Sequence, residues 1–283
     1  MGQVDLHVHS TCSDGTYTPS ELVAYGLEKN LVAMALTDHD TIKGIDEALL
    51  AAKDKPIEIV PGIEYSTNYE NKDVHIVGLF IDYKSKDFLH SLEQFMQTRL
   101  ERNIRLCANL ADAGIDISVE ALDEMFPDTV VTRAHYAKYL LTKGYVKSKD
   151  EAFDRYLGDH TRYFVPRCNI TPQDVIEVTK KAGGIPILAH PPLYGLGKDR
   201  LDKLVSDLTD VGLMGIECKY CTYSSSDERE MKELATKYHL MRSGGSDFHG
   251  SNTANLDLGV RYGHLYVPEH YYFDLKELSE KKE

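Results

Sequence analysis

The sequence predicts an α/β barrel of mostly parallel strands, interrupted by a helical insertion. Two observations carry this reading. Short apolar runs alternate with helix-like stretches over most of the chain, a pattern that builds strands covered by helices. Between about residues 99 and 167 the alternation stops and only helical patterns remain. A chain of 283 residues accommodates one large barrel with a smaller inserted unit. We therefore expect residues 1–98 and 168–283 to form one discontinuous barrel domain, with 99–167 as an inserted helical domain.

The expected strands, in chain order, are VDLHV from Val4, LVAMALT from Leu31, IEIVPG from Ile57, DVHIVGLFI from Asp73, GIPILAH from Gly184, LMGIECK from Leu213 and HLMRSGG from His239. Between the first two, Thr18, Pro19 and Glu21 read as the cap and the first and third positions of a helix carrying Leu22, Val23, Gly26 and Leu27. From Lys86 to Gly114 the spacing predicts one long helix with Leu89, Leu92, Phe95, Met96, Leu100 and Leu110 on a broad apolar face. Further helices are expected to start near Thr132 and at Ser148, where Glu151 would complete a capping box. Thr171 and Pro172 open another, which Gly183 and Gly184 close. In such a barrel, catalytic groups gather at the C-terminal strand ends.

Composition narrows the function. Hydrophobic residues at 42% and charged residues at 27% are ordinary for a soluble globular chain. No apolar run approaches the roughly 20 residues of a membrane span, and the opening MGQVDLHVHS lacks the plan of a secretory signal. Cys12, Cys107, Cys168, Cys218 and Cys221 form no disulfide framework for a chain this size, so a reducing cytoplasm is expected. The net charge of −13 excludes broad binding to long nucleic acid. It leaves room for a small phosphorylated molecule, because bound divalent ions reverse the field inside a pocket.

The chemistry lies in a set of histidines and carboxylates. His7 and His9 are two apart on an expected strand, so both face one side. Asp14 follows in a turn, His39 stands just past LVAMAL, and Glu64 just past IEIVPGI. His75 lies in DVHIVGLF, His190 ends GIPILAH, and Asp247 and His249 stand in GGSDFHG. A barrel would bring these positions to one pocket. They are too many for one ion, and they suit two or three divalent ions of manganese, zinc or iron with a bridging carboxylate. Asp5 and Asp40 are candidates to orient histidine rings, or simply strand-start and turn residues.

The segments DLHVHSTCSDGTYTP, LTDHDT, PGIEYS, HIVGLF, LAHP and GGSDFHG closely resemble the polymerase-and-histidinol-phosphatase (PHP) family, and above all its bacterial nucleotide phosphoesterase branch. The resemblance covers nearly the whole chain. It implies a distorted (β/α)7 barrel with an inserted helical domain and a trinuclear metal centre. Carried over by motif, His7, His9, Glu64 and Asp247 would hold the first ion. Glu64, His75 and His190 would hold the second, and Asp14, His39 and His249 the third. The branch removes the 3′-phosphate of nucleoside 3′,5′-bisphosphates or trims short 5′-phosphorylated RNA.

Such a centre suits phosphate esters. Two ions clamp the phosphate oxygens and bring the pKa of a bound water toward about 7, so attack by a metal-bound hydroxide is expected. Asp247 and His249 are the candidate acids for the leaving oxygen, a role that competes with ligation. Arg133, just after Thr132 in VTRAHYAKYL, is a candidate to grip a second phosphate, or a solvated surface arginine. The branch reads Arg-Pro-His at this place. Here the stretch is Arg133-Ala134-His135, with His135 a candidate substrate contact. Lys219 after GIEC is a candidate phosphate contact, while the histidine the branch carries shortly beyond is absent from CTYSSSDERE. Tyr17, Tyr65 and Tyr194 either stack on a base or pack. The Cys218–Cys221 pair lacks a second pair and reads as packing, and His90, His160, His239, His264 and His270 lack metal-type neighbours. Histidinol-phosphate phosphatase is the alternative substrate class, but the insertion and the Arg133–His135 segment fit the nucleotide branch better. A non-catalytic scaffold would be expected to have lost ligand types, yet every ligand position keeps one. A metal-dependent amidohydrolase would usually carry a carboxylated lysine at a strand end, and none is found there.

Overall fold

A computed structural model describes residues 2–70, 72–165, 170–252, 256–261 and 265–281. Cys168, His264 and the expected boundary at 167 and 168 lie outside the described residues. The seven apolar runs form seven strands: β1 Gln3–Val8, β2 Leu31–Leu36, β3 Glu58–Tyr69, β4 Lys72–Leu79, β5 Ile185–Leu188, β6 Gly215–Tyr220 and β7 Met241–Gly245. They lie in one sheet in chain order. The sheet nearly closes where β1 returns to the end of β7. There the His9 N–H donates to the Phe248 carbonyl at 3.0 Å and the Asp247 N–H to the His7 carbonyl at 2.9 Å. The result is a distorted (β/α)7 barrel.

The distortion is local. β1–β2, β2–β3, β5–β6 and β6–β7 pair in parallel, whereas β4 runs antiparallel to both neighbours. β3 and β4 form a long hairpin in which Tyr69 pairs with Lys72. Reversing β4 puts its first half at the barrel end where the parallel strands finish. His75 thereby reaches the same end as groups that follow other strands.

The helices are α1 Pro19–Glu28, α2 Ile45–Ala52, α3 Lys86–Asp112, α4 Val119–Met125, α5 Arg133–Thr142, α6 Lys149–Ala152, α7 Pro172–Lys181, α8 Lys198–Asp210, α9 Ser225–Lys237 and α10 Glu269–Glu280. A π-helical turn, Phe153–Leu157, continues α6. The expected starts of α1 and α7 are present as reciprocal caps: Thr18 with Glu21, and Thr171 with Asp174. Each such cap contributes about 1 kcal/mol. At α6 the reciprocal arm slips by one residue. Ser148 accepts the Glu151 N–H, but the Glu151 carboxylate accepts from Lys147. Among the described residues no helix is long and apolar enough to cross a membrane.

Three apolar cores result among the described residues. One fills the barrel wall with Val4, Leu6, Ile63, Ile76, Ile187 and Ile216. One packs Leu22, Val23, Met34, Leu36, Ala48 and Phe248 where α1 and α2 cover the sheet. One collects Leu106, Leu110, Leu122, Tyr136, Leu140 and Leu157 from the helical insertion. α3 joins the barrel-wall core to the insertion core, giving Phe88 and Leu92 to the former and Leu106 and Leu110 to the latter. Its apolar face differs from the expected one. Leu89 and Leu100 are 43% and 41% exposed, while Arg99, Arg102 and Asn103 are buried. Midway along, the helix passes over polar loops rather than an apolar core, and that stretch needs donors. Arg99 satisfies several acceptors at once: its Nε and Nη2 donate to the Asp40 carboxylate and its Nη1 to the Val131 carbonyl at 2.9 Å. Asp40, left-handed at φ 51°, also accepts the Ser66 N–H at 3.0 Å. One guanidinium thus joins α3, the loop after β2 and the approach to α5, while its carboxylate partner reaches β3.

Arg99→Met should lower stability by about 3–5 kcal/mol, because it leaves a buried carboxylate without its partner. Urea denaturation checks this. A loss under about 1 kcal/mol would remove the pair from the forces joining barrel and insertion.

Candidate metal centre

Strand geometry sets the first side chains. His7 on β1 and His9 just beyond it face the same side, with ring centroids 5.2 Å apart. Their Nε2 atoms converge on two carboxylates. His7 Nε2 lies 3.3 Å from Glu64 Oε2 and 3.4 Å from Asp247 Oδ1. The matching His9 distances are 3.3 and 2.9 Å. Glu64 also meets His39 Nδ1 at 2.9 Å through Oε2, and His75 Nδ1 at 2.8 Å and His190 Nε2 at 2.9 Å through Oε1. One buried carboxylate therefore touches five histidines. Beside it, Asp14 Oδ1 lies 3.1 Å from His249 Nε2, and Asp14 Oδ2 lies 3.9 Å from His39 Nε2. The His9 and His249 rings stack at 4.1 Å.

All the sequence-derived metal candidates meet in this one cluster, but not all at strand ends. Glu64 and His75 lie inside β3 and β4, because the hairpin extends both strands past the barrel rim. His190 and Asp247, which follow β5 and β7, are left-handed at φ 32° and 54°. Non-glycine residues adopt that backbone at a cost, and such strain gathers at functional sites.

The donor set fits divalent ions. Ligands about 2.1 Å from one ion lie roughly 3.0–3.4 Å apart, close to the spacings above. Buried polar atoms are normally hydrogen-bonded, yet His7 Nε2, His9 Nε2, His39 Nδ1, Asp14 Oδ1 and Glu64 Oε2 are buried here without a hydrogen bond. Donor atoms fall into three groups, each within 4.8 Å: His7, His9, Glu64 and Asp247; His9, Asp14, His39 and His249; and His39, Glu64 and His75. The first is the set the motif resemblance implies. In the others His9 and His39 each stand between two groups, and His190 approaches only through Glu64.

Charge follows from proximity. Burial works against ionising Glu64, but His7, His39 and His75 outweigh it and hold the carboxyl well below the usual range. Asp14 and Asp247 are held down in the same way by His249 and His39, and by His7 and His249. Burial also opposes a charge on His9, yet Asp247 and Glu64 raise its pKa to about 10. Cations compete with these protons, so metal affinity falls as pH drops.

Sequence reasoning passed over Glu217. It is buried on β6 within the apolar run GIEC, and its Oε1 lies 2.9 Å from His7 Nδ1 while its Oε2 accepts the His190 N–H at 2.7 Å. A carboxylate on Nδ1 leaves Nε2 as the ligand atom, the usual support for a metal-binding histidine. A lone glutamate inside a buried strand was the available signal. Asp5 and Asp40 do not fill this role. Asp5 accepts from Ser246, Gly259 and the His7 N–H, holding backbone rather than a ring, and burial pushes its pKa up to about 6. Tyr220 donates to Asp247 Oδ2 at 2.7 Å. With both oxygens engaged and its carboxyl ionised, Asp247 suits a ligand and not a proton donor.

The substrate candidates divide. Arg133 ion-pairs with Asp73 and lies over the Phe164 ring at 5.8 Å. His135 turns inward, where its Nδ1 accepts the Thr132 N–H at 3.0 Å and burial draws its pKa down to about 4. It is a neutral imidazole, unsuited to pair as a cation with phosphate. Lys219 is held by Glu228 of α9 at 2.5 Å, because a register shift after Glu217 leaves Tyr220 on the site and Lys219 on the helix. Tyr65 is fully buried, the Tyr194 hydroxyl donates to the Ala189 carbonyl, and Tyr17 stacks on Tyr25, so these rings pack.

The pattern of the PHP domain matches residues 5–156, more than half of the sequence. The chain belongs to the PHP family. A 5′-3′ exoribonuclease of Haemophilus influenzae is 39% identical over 245 residues, covering 87% of this chain and 89% of that protein. A 3′,5′-nucleoside bisphosphate phosphatase of Chromobacterium violaceum is 33% identical over 263 residues, covering 92% and 91%. A solved Chromobacterium violaceum structure with bound sulfate, described as an amidohydrolase, superposes with TM-score 0.86 at 30% identity, covering 98% of this chain and 96% of that one. This PHP protein is a metal-dependent phosphoesterase, a hydrolase.

Asp247→Asn removes one charge from the first ligand group. It should abolish turnover and reduce bound metal while leaving the circular dichroism spectrum unchanged. Full metal content and full activity would exclude Asp247 as a ligand. A second prediction concerns pH. Burial draws the His135 pKa from its ordinary 6.5 down to about 4, so the unfolded chain takes up the proton first. Its contribution is complete above pH 6.5 and is lost by about 1.4 kcal/mol per unit as pH falls toward 4. His135→Asn keeps an acceptor for the Thr132 N–H but does not titrate, and should flatten stability over that window. An unchanged slope between pH 7 and pH 5 would acquit His135.

Proposed function

We propose that this phosphoesterase hydrolyses phosphate esters of nucleotides, with the 3′-phosphate of a nucleoside 3′,5′-bisphosphate or a short 5′-phosphorylated RNA as substrate. The observation that carries this is a group of arginines on the insertion, two of which pair with Asp40 and Asp73, close in the chain to His39 and His75, in a protein of net charge −13. Arg133 opens α5, and Arg99 and Arg102 lie buried on α3. Burial first, then the neighbouring charges of Arg133 and Arg99, bring the Arg102 pKa down to about 10. Arg99 and Arg133 already answer the carboxylates of Asp40 and Asp73, but Arg102 Nη2 is buried without a hydrogen bond, and a second phosphate is an anion suited to this group. A single-phosphate substrate such as histidinol phosphate brings no second anion to them. The two relatives act on a 3′,5′-bisphosphate and on RNA, as their names state.

His7, His9, Glu64 and Asp247 would hold one ion, with Asp14, His39, His75, His190 and His249 completing two or three sites for manganese, zinc or iron. Bound divalent ions supply charge neutralisation at phosphate oxygens and a more acidic water. The protein's own part is orientation. Glu64 sets the spacing, Glu217 fixes the ring of His7, and Tyr220 fixes Asp247. We infer that residues 99–167 act as the inserted unit that brings Arg133 to this centre, and that the chain works in the cytoplasm on a small substrate.

The test is phosphate release by the manganese-loaded protein from adenosine 3′,5′-bisphosphate, 3′-AMP, 5′-AMP, histidinol phosphate and a short 5′-phosphorylated RNA. Preference for the bisphosphate or the RNA, abolished by chelator, supports the proposal. Preference for histidinol phosphate overturns it. Arg133→Ala should raise KM for the bisphosphate about tenfold or more, the worth of a charged hydrogen bond, and leave KM for an aryl phosphate nearly unchanged. Equal effects on both would take Arg133 out of phosphate binding.

A further inference from the structure

Asp14 differs from its neighbours in the cluster. A strand holds His7, Glu64 and His75, but Asp14 stands in the turn after β1, where its own backbone does little to aim its carboxylate. The helical insertion supplies the aim. Its residues 129–132 run along residues 12–14: the Val130 N–H donates to the Cys12 carbonyl at 3.1 Å, the Thr129 hydroxyl to the Ser13 carbonyl, and the Thr132 hydroxyl to Asp14 Oδ2 at 2.7 Å. Thr132 and Asp14 are only 5% and 6% exposed, so water does not replace the last contact.

The proton count at Thr132 leaves one arrangement. Its hydroxyl has one proton and three polar neighbours. The Ala134 N–H is a donor, at 3.2 Å. His135 Nδ1 already accepts the Thr132 N–H. The Asp14 carboxylate oxygen is an acceptor. The hydroxyl therefore accepts from Ala134 and donates to Asp14. With Oδ2 fixed, Oδ1 is fixed too, and Oδ1 is the atom that lacks a hydrogen bond and lies 3.1 Å from His249 Nε2. A second tie runs from α6, where Lys149 Nζ meets Asn252 at 3.3 Å and Asn252 donates to the Asp14 carbonyl at 2.7 Å.

We propose that Thr132 is a positioning residue through which the insertion completes the His9, Asp14, His39 and His249 metal group. This rests on the metal reading of the preceding subsection. The same hydroxyl caps α5, whose first residue is Arg133. The start of the phosphate-binding helix and the aim of one metal ligand therefore share a single hydrogen-bonding atom. The barrel supplies all four side chains, and the insertion supplies the aim of one of them.

The test measures metal binding rather than turnover. Manganese and zinc affinity are read by titration, bound metal per chain by elemental analysis, and the metal-induced rise in Tm by calorimetry, for Thr132→Val, Thr132→Ser and Asp14→Asn. Loss of a supporting hydrogen bond to a ligand weakens metal binding about 10–100-fold. Thr132→Val should lose that much at the weakest site and bind less metal per chain, Thr132→Ser should restore it, and Asp14→Asn should match or exceed the valine variant. If Asp14→Asn binds weakly but Thr132→Val binds like the wild type, the positioning role is overturned while the metal reading stands. If Asp14→Asn also binds like the wild type, the metal reading of this group fails with it. Should Thr132→Val not fold, Thr132→Gly lacks the hydroxyl yet remains a good helix cap and gives the same comparison.

Discussion

One carboxylate organises this protein. Glu64 lies buried among His7, His9, His39, His75 and His190, which come from β1, the loop after β2, β4 and the end of β5. An anion placed there has to be answered by cations from every side, whether protons or metal ions. Elements that carry those histidines are held in position by charge as well as by packing. The barrel must also bring strands distant in sequence to within hydrogen-bonding reach of one side chain. The reversal of β4 meets that need. A parallel strand would carry His75 past the rim and away from Glu64, whereas the hairpin with β3 pairs Glu64 against Val77 and Ser66 against His75.

Around this centre the support is layered. Glu217 holds His7 and the backbone of His190, Tyr220 holds Asp247, and Thr132 holds Asp14. Asp38 anchors the loop itself, accepting from the Ser10 N–H and from the hydroxyls of Ser10 and Ser13. Arg99 then joins this polar end of the barrel to the insertion through Asp40 and Val131. Among the described residues the barrel-wall and insertion cores share α3, and relative placement of the halves depends as well on polar contacts of this kind. They are directional, and direction is what a ligand geometry requires.

The sequence carried much of this. Every barrel strand follows from an apolar run, and the caps at Thr18, Thr132 and Thr171 follow from short-range hydrogen bonding that needs no knowledge of the fold. The ligand types were legible because histidine and aspartate are unusual next to buried strands. Other features are long-range and leave no local mark. Nothing in DVHIVGLFI says that the strand runs backwards, and nothing in the Leu89–Leu110 spacing says that the helix turns Arg99 and Arg102 inward instead of Leu100. Lys219 shows the same limit, since a register shift after Glu217 decided which way it points. His135 was legible as a residue near the site but not as a neutral one, because its burial depends on Phe126 and the turn at Asp14.

The buried ligand atoms that lack hydrogen bonds have a consequence for the life of the protein in a cell. They are a cost of folding that bound cations would lower, and a ligand bound only by the folded state adds stability that grows with its free concentration. Two left-handed residues beside the centre, His190 and Asp247, add to that cost. The supply of divalent ions thus governs not only how fast the enzyme turns over but how much of it survives. When ions are scarce the folded fraction declines, and chaperones and proteases remove the remainder.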